Sequence, residues 1–353
     1  MDIFDGHSDS LVKWYLGGAR SMHPFLTEQA TQHLDLPRAR QGGLIGGICA
    51  ICVPPTAAGF PLLRDRIALR PDGFDVPLPE PIEPAWAEEF ALDMMTRMRS
   101  LADHHPDQLA TITSASDIDR MGDDDRFWLL MHLEGAESIR ADLSNLDRFY
   151  EAGLRSIGPV WSRPNAFGHG VPFVFPSSPD TGPGLTDAGR MLIAACNQRG
   201  ILIDLSHMTE RGFRDVAEIT TAPLVVSHTG AHALAPSARN LTDAQLDRIG
   251  ESGGLVGITF HVADLNPDGS FDPATPIDRI VDHIDYIARR IGVEHVALGS
   301  DFDGAIIPAE MKDATGLPIL LNRLQARGFS SEDRQRIASD NWERILKAVL
   351  GER

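Results

Sequence analysis

Eight short apolar runs rich in β-branched residues recur along the chain, and segments of helical periodicity separate most of them. They span residues 3–7, 44–53, 127–133, 154–160, 201–205, 224–227, 255–260 and 295–299. Many are apolar throughout, the pattern of parallel strands covered on both faces. Parallel neighbours need crossover connections, which the helical segments supply. Trp86, Phe90, Met94, Met98 and Leu101 fall on one face of such a helix, a stripe that reads as core packing. Another helix is predicted to open at Thr275-Pro276, with Thr275 as its N-cap. It buries Ile277, Ile280, Val281, Ile284 and Ile287 and closes at Gly292. A chain of 353 residues also has room for two ordinary domains. The unbroken alternation instead predicts an α/β fold, a (β/α)8 TIM barrel, with residues 1–353 as one domain.

Two connections, 54–84 after the second strand and 163–184 after the fourth, are long and rich in Pro and Gly. Each leaves a strand at its C-terminal end, so both are expected to overhang the barrel mouth.

The formal net charge of −18, with Lys only at 13, 312 and 347, argues against a nucleic-acid partner. No run of eighteen apolar residues exists, so no membrane-spanning helix is expected. The start Met1-Asp2-Ile3-Phe4-Asp5 shows no basic and apolar segments and the end Gly351-Glu352-Arg353 no hydrophobic tail, so neither a secretory signal nor a lipid anchor is expected in this sequence, a trimmed precursor aside. Cys49, Cys52 and Cys196 are too few for a disulfide framework. Cys49 and Cys52 lie three apart in an extended run, so their sulfurs should diverge. Buried thiols and a cytoplasmic location are the expectation.

Chemistry-bearing residues cluster at the strand ends. His7 and Asp9 follow the first strand, Glu134 ends the third, His207 follows the fifth, His228 ends the sixth and Asp301 follows the eighth. In a (β/α)8 barrel all six positions lie at the C-terminal face, where active sites are built. Alone, a histidine at a strand end is usually structural and an aspartate there often caps a helix. His7 and Asp9, two apart, point to one side and suit one ion; His207 and His228 suit a second, and Glu134 has two oxygens able to bridge. Mixed imidazole and carboxylate donors suit zinc, and less exclusively Mn2+, Co2+ or Fe2+.

Asp5-Gly6-His7-Ser8-Asp9, Leu133-Glu134-Gly135, Asp204-Leu205-Ser206-His207, Ser227-His228-Thr229, Ser237-Ala238-Arg239-Asn240 and Gly299-Ser300-Asp301-Phe302-Asp303-Gly304 occur in this order. Together with Ser339-Asp340-Asn341-Trp342-Glu343-Arg344-Ile345-Leu346 near the end, they resemble the motifs of the membrane (renal) dipeptidase family over nearly the whole chain. The resemblance implies a binuclear zinc dipeptidase that acts through a metal-bridging hydroxide on small dipeptides, L-Xaa-D-Xaa among them. It implies His7 and Asp9 on one zinc, His207 and His228 on the other, Glu134 bridging, Asp301 as general base and acid, and Arg239 on the substrate carboxylate.

One departure stands out. The family places a histidine after the fourth strand, where this chain has Trp161, and an indole cannot supply a cationic imidazole. His261, where the family often has an aromatic hydroxyl, joins Arg239 and Trp161 as a candidate substrate-binding residue. His169 reads as an exposed loop residue, His132 as a neighbour of Glu134 on one strand face that either supports the site or packs the core, and Asp303 as either a support of the site or structural. His132-Leu133-Glu134 mimics the H-x-E of zinc deaminases, but no P-C-x-x-C follows. The alternatives are hydrolysis of an N-acyl amino acid, a lactam or a lactone on the same metals, or a peptide-binding pseudoenzyme. A dipeptide is the expected partner, neither nucleic acid nor membrane is, and a homodimer is left open.

Overall fold

The structure is a computed structural model that describes residues 1–17, 22–28, 31–61 and 65–351. Eight strands form its centre: β1 (Ile3–Ser8), β2 (Leu44–Ile51), β3 (Phe127–Glu134), β4 (Leu154–Gly158), β5 (Leu202–Ile203), β6 (Val225–Thr229), β7 (Leu255–Ile258) and β8 (Val296–Leu298). The first five pair in parallel in chain order, and β6, β7 and β8 make a second parallel run. Two seams join the runs. At one, Asp204 bridges to Val225 and the Leu205 amide donates to the Val225 carbonyl at 2.8 Å. At the other, Ser8 bridges to Phe302, and the Asp9 amide donates to the Phe302 carbonyl at 2.9 Å. The sheet therefore curls into the expected barrel.

Strand β3 shows how the barrel is filled. Trp128 and Leu130 point inward and pack with Phe4, Ile48, Leu202, Val225, Leu255 and Ala297. Leu129, Met131 and Leu133 point outward into the larger core shared with the helices. The inner cluster also takes in Trp342, Ile345 and Leu346 of the last helix, Asn341–Leu350. That helix closes the barrel at the N-terminal ends of the strands, and the Trp342 indole donates to the Leu298 carbonyl at 2.9 Å. A Cβ at Gly6 would sit 2.3 Å from the Trp342 ring, so the plug requires glycine there.

The Met and aromatic stripe lies on the helix Pro84–His104, with Phe90, Met94, Met98 and Leu101 buried. The helix predicted from Thr275 begins only at Asp278 and ends at Ile291, before Gly292 at φ 103°. Thr275 is not its cap. Its hydroxyl donates to the Asp272 carbonyl at 2.6 Å and accepts from the Asn266 amide at 2.7 Å, so tertiary demands take the group that the local cue assigned to the helix.

The two long connections are not structureless. Ala68–Arg70 and Gly73–Val76 form a hairpin, and Gly73–Val76 also pairs antiparallel with Phe173–Phe175 of the other connection. A three-stranded sheet thus stitches them together; residues 62–64 of the first lie outside the described residues. All three cysteines are free and buried. Among the described residues, no helix is long and apolar enough to cross a membrane.

Candidate active site

The strand ends bring the six candidate residues together. His7 Nε2 lies 3.9 Å from Asp9 Oδ2 and 3.6 Å from Glu134 Oε1. The Nε2 atoms of His207 and His228 lie 2.9 and 3.6 Å from that same glutamate oxygen, and 3.0 Å from each other. Three imidazoles therefore converge on one carboxylate oxygen. His7, Asp9 and Asp301 also present donor atoms within 4.8 Å of one another.

Neighbours set the outward nitrogens. Ser162 Oγ lies 2.8 Å from His207 Nδ1, and Ser227 Oγ lies 2.9 Å from His228 Nδ1. Each contact turns the ring's Nε2 toward Glu134 and favours the tautomer with a free lone pair there. His207 (φ 66°) and Asp301 (φ 59°) sit in the left-handed region, which non-glycine residues occupy at some cost. Gly304 is packed against both aspartates: a Cβ there would sit 2.1 Å from Asp9 Oδ2 and 2.3 Å from Asp301 Oδ1.

The electrostatics call for cations. Burial, reinforced by the neighbouring rings and by Arg239, drives the pKa values of His7, His207 and His228 well below the usual histidine value. Burial and repulsion from Asp9 push the carboxyls of Glu134 and Asp301 up, and burial and Asp303 push Asp9 up to about 7. Both ring nitrogens of His7 are buried without a hydrogen-bond partner among the described residues. Neutral imidazoles beside carboxylates that resist ionisation in one another's company fit a site completed by divalent cations.

Above this cluster opens a cavity of about 560 Å3, within the usual range for small-molecule sites. Asp9, Glu134, His207, His228 and Asp301 line its inner end, and Arg239 and His261 also line it. Arg239 is largely buried, and its Nη2 donates to the His228 carbonyl at 3.4 Å. The Arg239 loop is pinned by Asn240, whose side chain bonds to Gly230, Ala235 and Asp264. It is also pinned by His283, whose Nδ1 accepts from the Ala231 amide at 2.9 Å. His261 Nδ1 lies 3.1 Å from Asp264 Oδ2, and Asp264 in turn accepts from Ser237.

The remaining lining is mostly apolar, with Phe60, Phe74, Val76, Trp161, Phe173 and Phe271, but it also includes the charged side chains of Lys13, Arg66, Asp264 and Asp303. Phe74, Val76 and Phe173 come from the small sheet that joins the two long connections. The Trp161 ring lies 5.9 Å from the His207 ring and 5.8 Å from those of Phe60 and Phe173, so it is a wall of the cavity.

Asp303 accepts from Ser10, Lys13 and the amides of His33 and Leu34, and it also lines the cavity. His169 corrects the reading as an exposed loop residue. It is half-buried, and its Nδ1 is buried without a partner among the described residues. Cys49 packs in the core, whereas Cys52 lines the cavity. Sequence reasoning missed Cys52, Ser162, Ser227 and the aromatic walls other than Trp161. Ser227 carried a signal, being adjacent to His228; Ser162 carried none.

The sequence model of the family described as membrane dipeptidase (Peptidase family M19) matches residues 1–351. The chain belongs to the membrane dipeptidase family. It is therefore a metal-dependent peptide-bond hydrolase. A Klebsiella pneumoniae protein described as "Uncharacterized protein in pqqA 5'region" is 46% identical over 270 residues, 76% of this chain and 97% of that protein. A crystal structure of "the dipeptidase AC", a metallo peptidase, superposes with a TM-score of 0.94 at 42% identity, covering 100% of this chain and 99% of that one. Another, of a Rhodobacter sphaeroides metallo peptidase liganded with a phosphinate mimic of the dipeptide L-Ala-D-Ala, gives a TM-score of 0.93 at 42% identity over 99% of both chains.

Proposed function

We propose that this membrane dipeptidase family member hydrolyses small dipeptides with apolar side chains, including L-Xaa-D-Xaa substrates, at a pair of zinc ions. The observation that carries the reading is the convergence of His7, His207 and His228 on Glu134, facing one cavity with Asp301 and Arg239. His7 and Asp9 would hold one ion and His207 and His228 the other, with Glu134 between them. Donors without thiolate favour zinc, with Mn2+, Co2+ and Fe2+ as competitors. When bound, such a pair polarises a carbonyl and lowers the pKa of water toward neutrality.

The protein's own groups do the rest. Asp301 takes the proton from the attacking water and passes it to the leaving amine, one carboxyl serving in both directions. Arg239 grips the C-terminal carboxylate with a planar pair of N–H donors. His261, held by Asp264 through Nδ1, offers Nε2 to the substrate from the same part of the cavity. Trp161 and Phe173 shed water from the reacting centre and receive an apolar side chain. The Rhodobacter sphaeroides relative, bound to a mimic of L-Ala-D-Ala, supports a D-residue at the second position.

The test is a panel: zinc-loaded protein assayed on L,L and L,D dipeptides with apolar or charged side chains, on N-acyl amino acids and on a lactam. Fastest turnover is expected on apolar dipeptides. Turnover of the acylated amino acid or the lactam without any free dipeptide would reject the assignment.

A further inference from the structure

Below the candidate metal centre, between the imidazoles and the apolar floor, the barrel interior is polar. Asp204 and His132 lie there, both buried. Asp204 Oδ1 accepts from the Ser206 amide at 3.1 Å, the Ser206 hydroxyl at 2.9 Å and the Ser227 amide at 2.8 Å. Its Oδ2 accepts from the Ser227 hydroxyl at 2.5 Å. With its own proton given to Asp204, Ser227 Oγ accepts from His228 Nδ1. The chain Asp204–Ser227–His228 thus fixes the proton of His228 on Nδ1 and leaves the Nε2 lone pair toward Glu134.

His7 has no such serine. Its Nε2 is turned to Asp9 and Glu134, and Nδ1, also buried, has no partner among the described residues. Nor has His132 Nε2, which lies 3.6 Å from Asp204 Oδ2, too far for a hydrogen bond, while its Nδ1 meets Ser156 Oγ at 2.9 Å. A ring nitrogen of His7, one of His132 and a carboxylate oxygen of Asp204 lie within 4.8 Å of one another. One oxygen atom placed among them reaches all three at hydrogen-bond distance.

We infer that this triangle binds a single internal water, and that through it and through Ser227 the carboxylate of Asp204 is a positioning residue for both halves of the metal centre. The inference rests on reading His7 and His228 as ligands. An imidazole that gives its Nε2 lone pair to a cation keeps its proton on Nδ1, and that N–H can only donate. A third cation would face that N–H and keep only His132 and Asp204 as donors, an incomplete set. Water accepts from His7, donates to Asp204, and completes His132 Nε2 in either tautomer of that ring. A single anion, already braced by two serines, then sets the tautomers of His7 and His228 together.

The experiment compares His132→Asn with His132→Gln. Asparagine keeps a polar group near Ser156 but falls short of the Nε2 position, which glutamine reaches. Metal binding is read by competition against a chromophoric chelator and by the visible spectrum of cobalt-loaded protein. His132→Asn is expected to weaken one of two ions about 10- to 100-fold and to alter one component of the cobalt spectrum. His132→Gln should recover most of both, and a high-resolution structure of zinc-loaded protein should show one water-sized peak bonded to His7 Nδ1 and Asp204. Wild-type affinity in both variants, equal loss in both, or a metal peak in the triangle would overturn the proposal. Wild-type protein that binds no ion would overturn the metal reading itself and this proposal with it.

Discussion

The backbone amide of Asp301 donates to the carbonyl of His7 at 3.0 Å. The last strand's catalytic candidate is thus fixed to the first strand's candidate ligand by the bond that helps close the barrel. Asp5 reinforces that seam by accepting from the Ser300 amide at 2.7 Å and hydroxyl at 2.5 Å.

Because that bond is made by the backbone, Asp301→Asn should leave the seam and the metal content intact. The amide keeps the shape and removes the proton acceptor, so kcat is expected to fall roughly 10²- to 10⁴-fold. Steady-state kinetics with metal analysis on the same preparation decide it; near-normal turnover would assign proton transfer elsewhere.

Glu134 sits against all three imidazoles, so its loss should be felt by both ions. Purified protein is expected to hold close to two zinc-like ions per chain, and Glu134→Ala well under two, by elemental analysis. Full retention in the variant would mean that the two sites do not share this carboxylate.

Arg239→Ala separates a dipeptidase from other hydrolases on the same metals. A charge-assisted bidentate contact contributes about 1.5–3 kcal/mol, so kcat/KM for a free dipeptide should drop about 10- to 150-fold. A C-terminally amidated dipeptide should be poor for the wild type and indifferent to the mutation. Additive losses across that double cycle would show that the arginine and the carboxylate never meet.

His283 gives the Arg239 loop a dependence on acid. Burial lowers its pKa from 6.5 to about 4, and its neutral Nδ1 must stay free to accept from Ala231. A histidine depressed on folding contributes stability that is complete above about pH 6.5 and is lost as pH falls toward about 4. The full loss is on the order of 3 kcal/mol. In protein stripped of metal, the thermal midpoint of wild type should fall more between pH 7 and pH 5 than that of His283→Gln, which cannot titrate. Parallel curves would remove His283 from the account.

Local signals made much of this legible. Residues 127–133 read as a strand because their apolar run is covered on both faces, and the polar Glu134 marked where that strand leaves the core. The same logic placed His7, His207, His228 and Asp301, since a strand end in a barrel fixes position without any knowledge of distant residues. What escaped depends on distant partners. Gly73–Val76 and Phe173–Phe175 are short segments that become strands only by meeting each other. Ser162 reaches His207 across 45 positions of sequence. Thr275 had every mark of a helix cap, and Asn266 took its hydroxyl.

Trp342 reaches the inner cluster from the last helix, which sets a timetable for biosynthesis. Until that helix emerges, Phe4, Ile48 and Leu255 have no cover at the end of the barrel where they pack, and exposed apolar surface of this kind invites aggregation. The donors at the other end are held at seams between early and late strands, so a nascent chain cannot assemble the proposed centre piecemeal. Metal uptake should follow the emergence of that helix, and chains stopped before residue 342 should depend on chaperones even though they carry every proposed ligand.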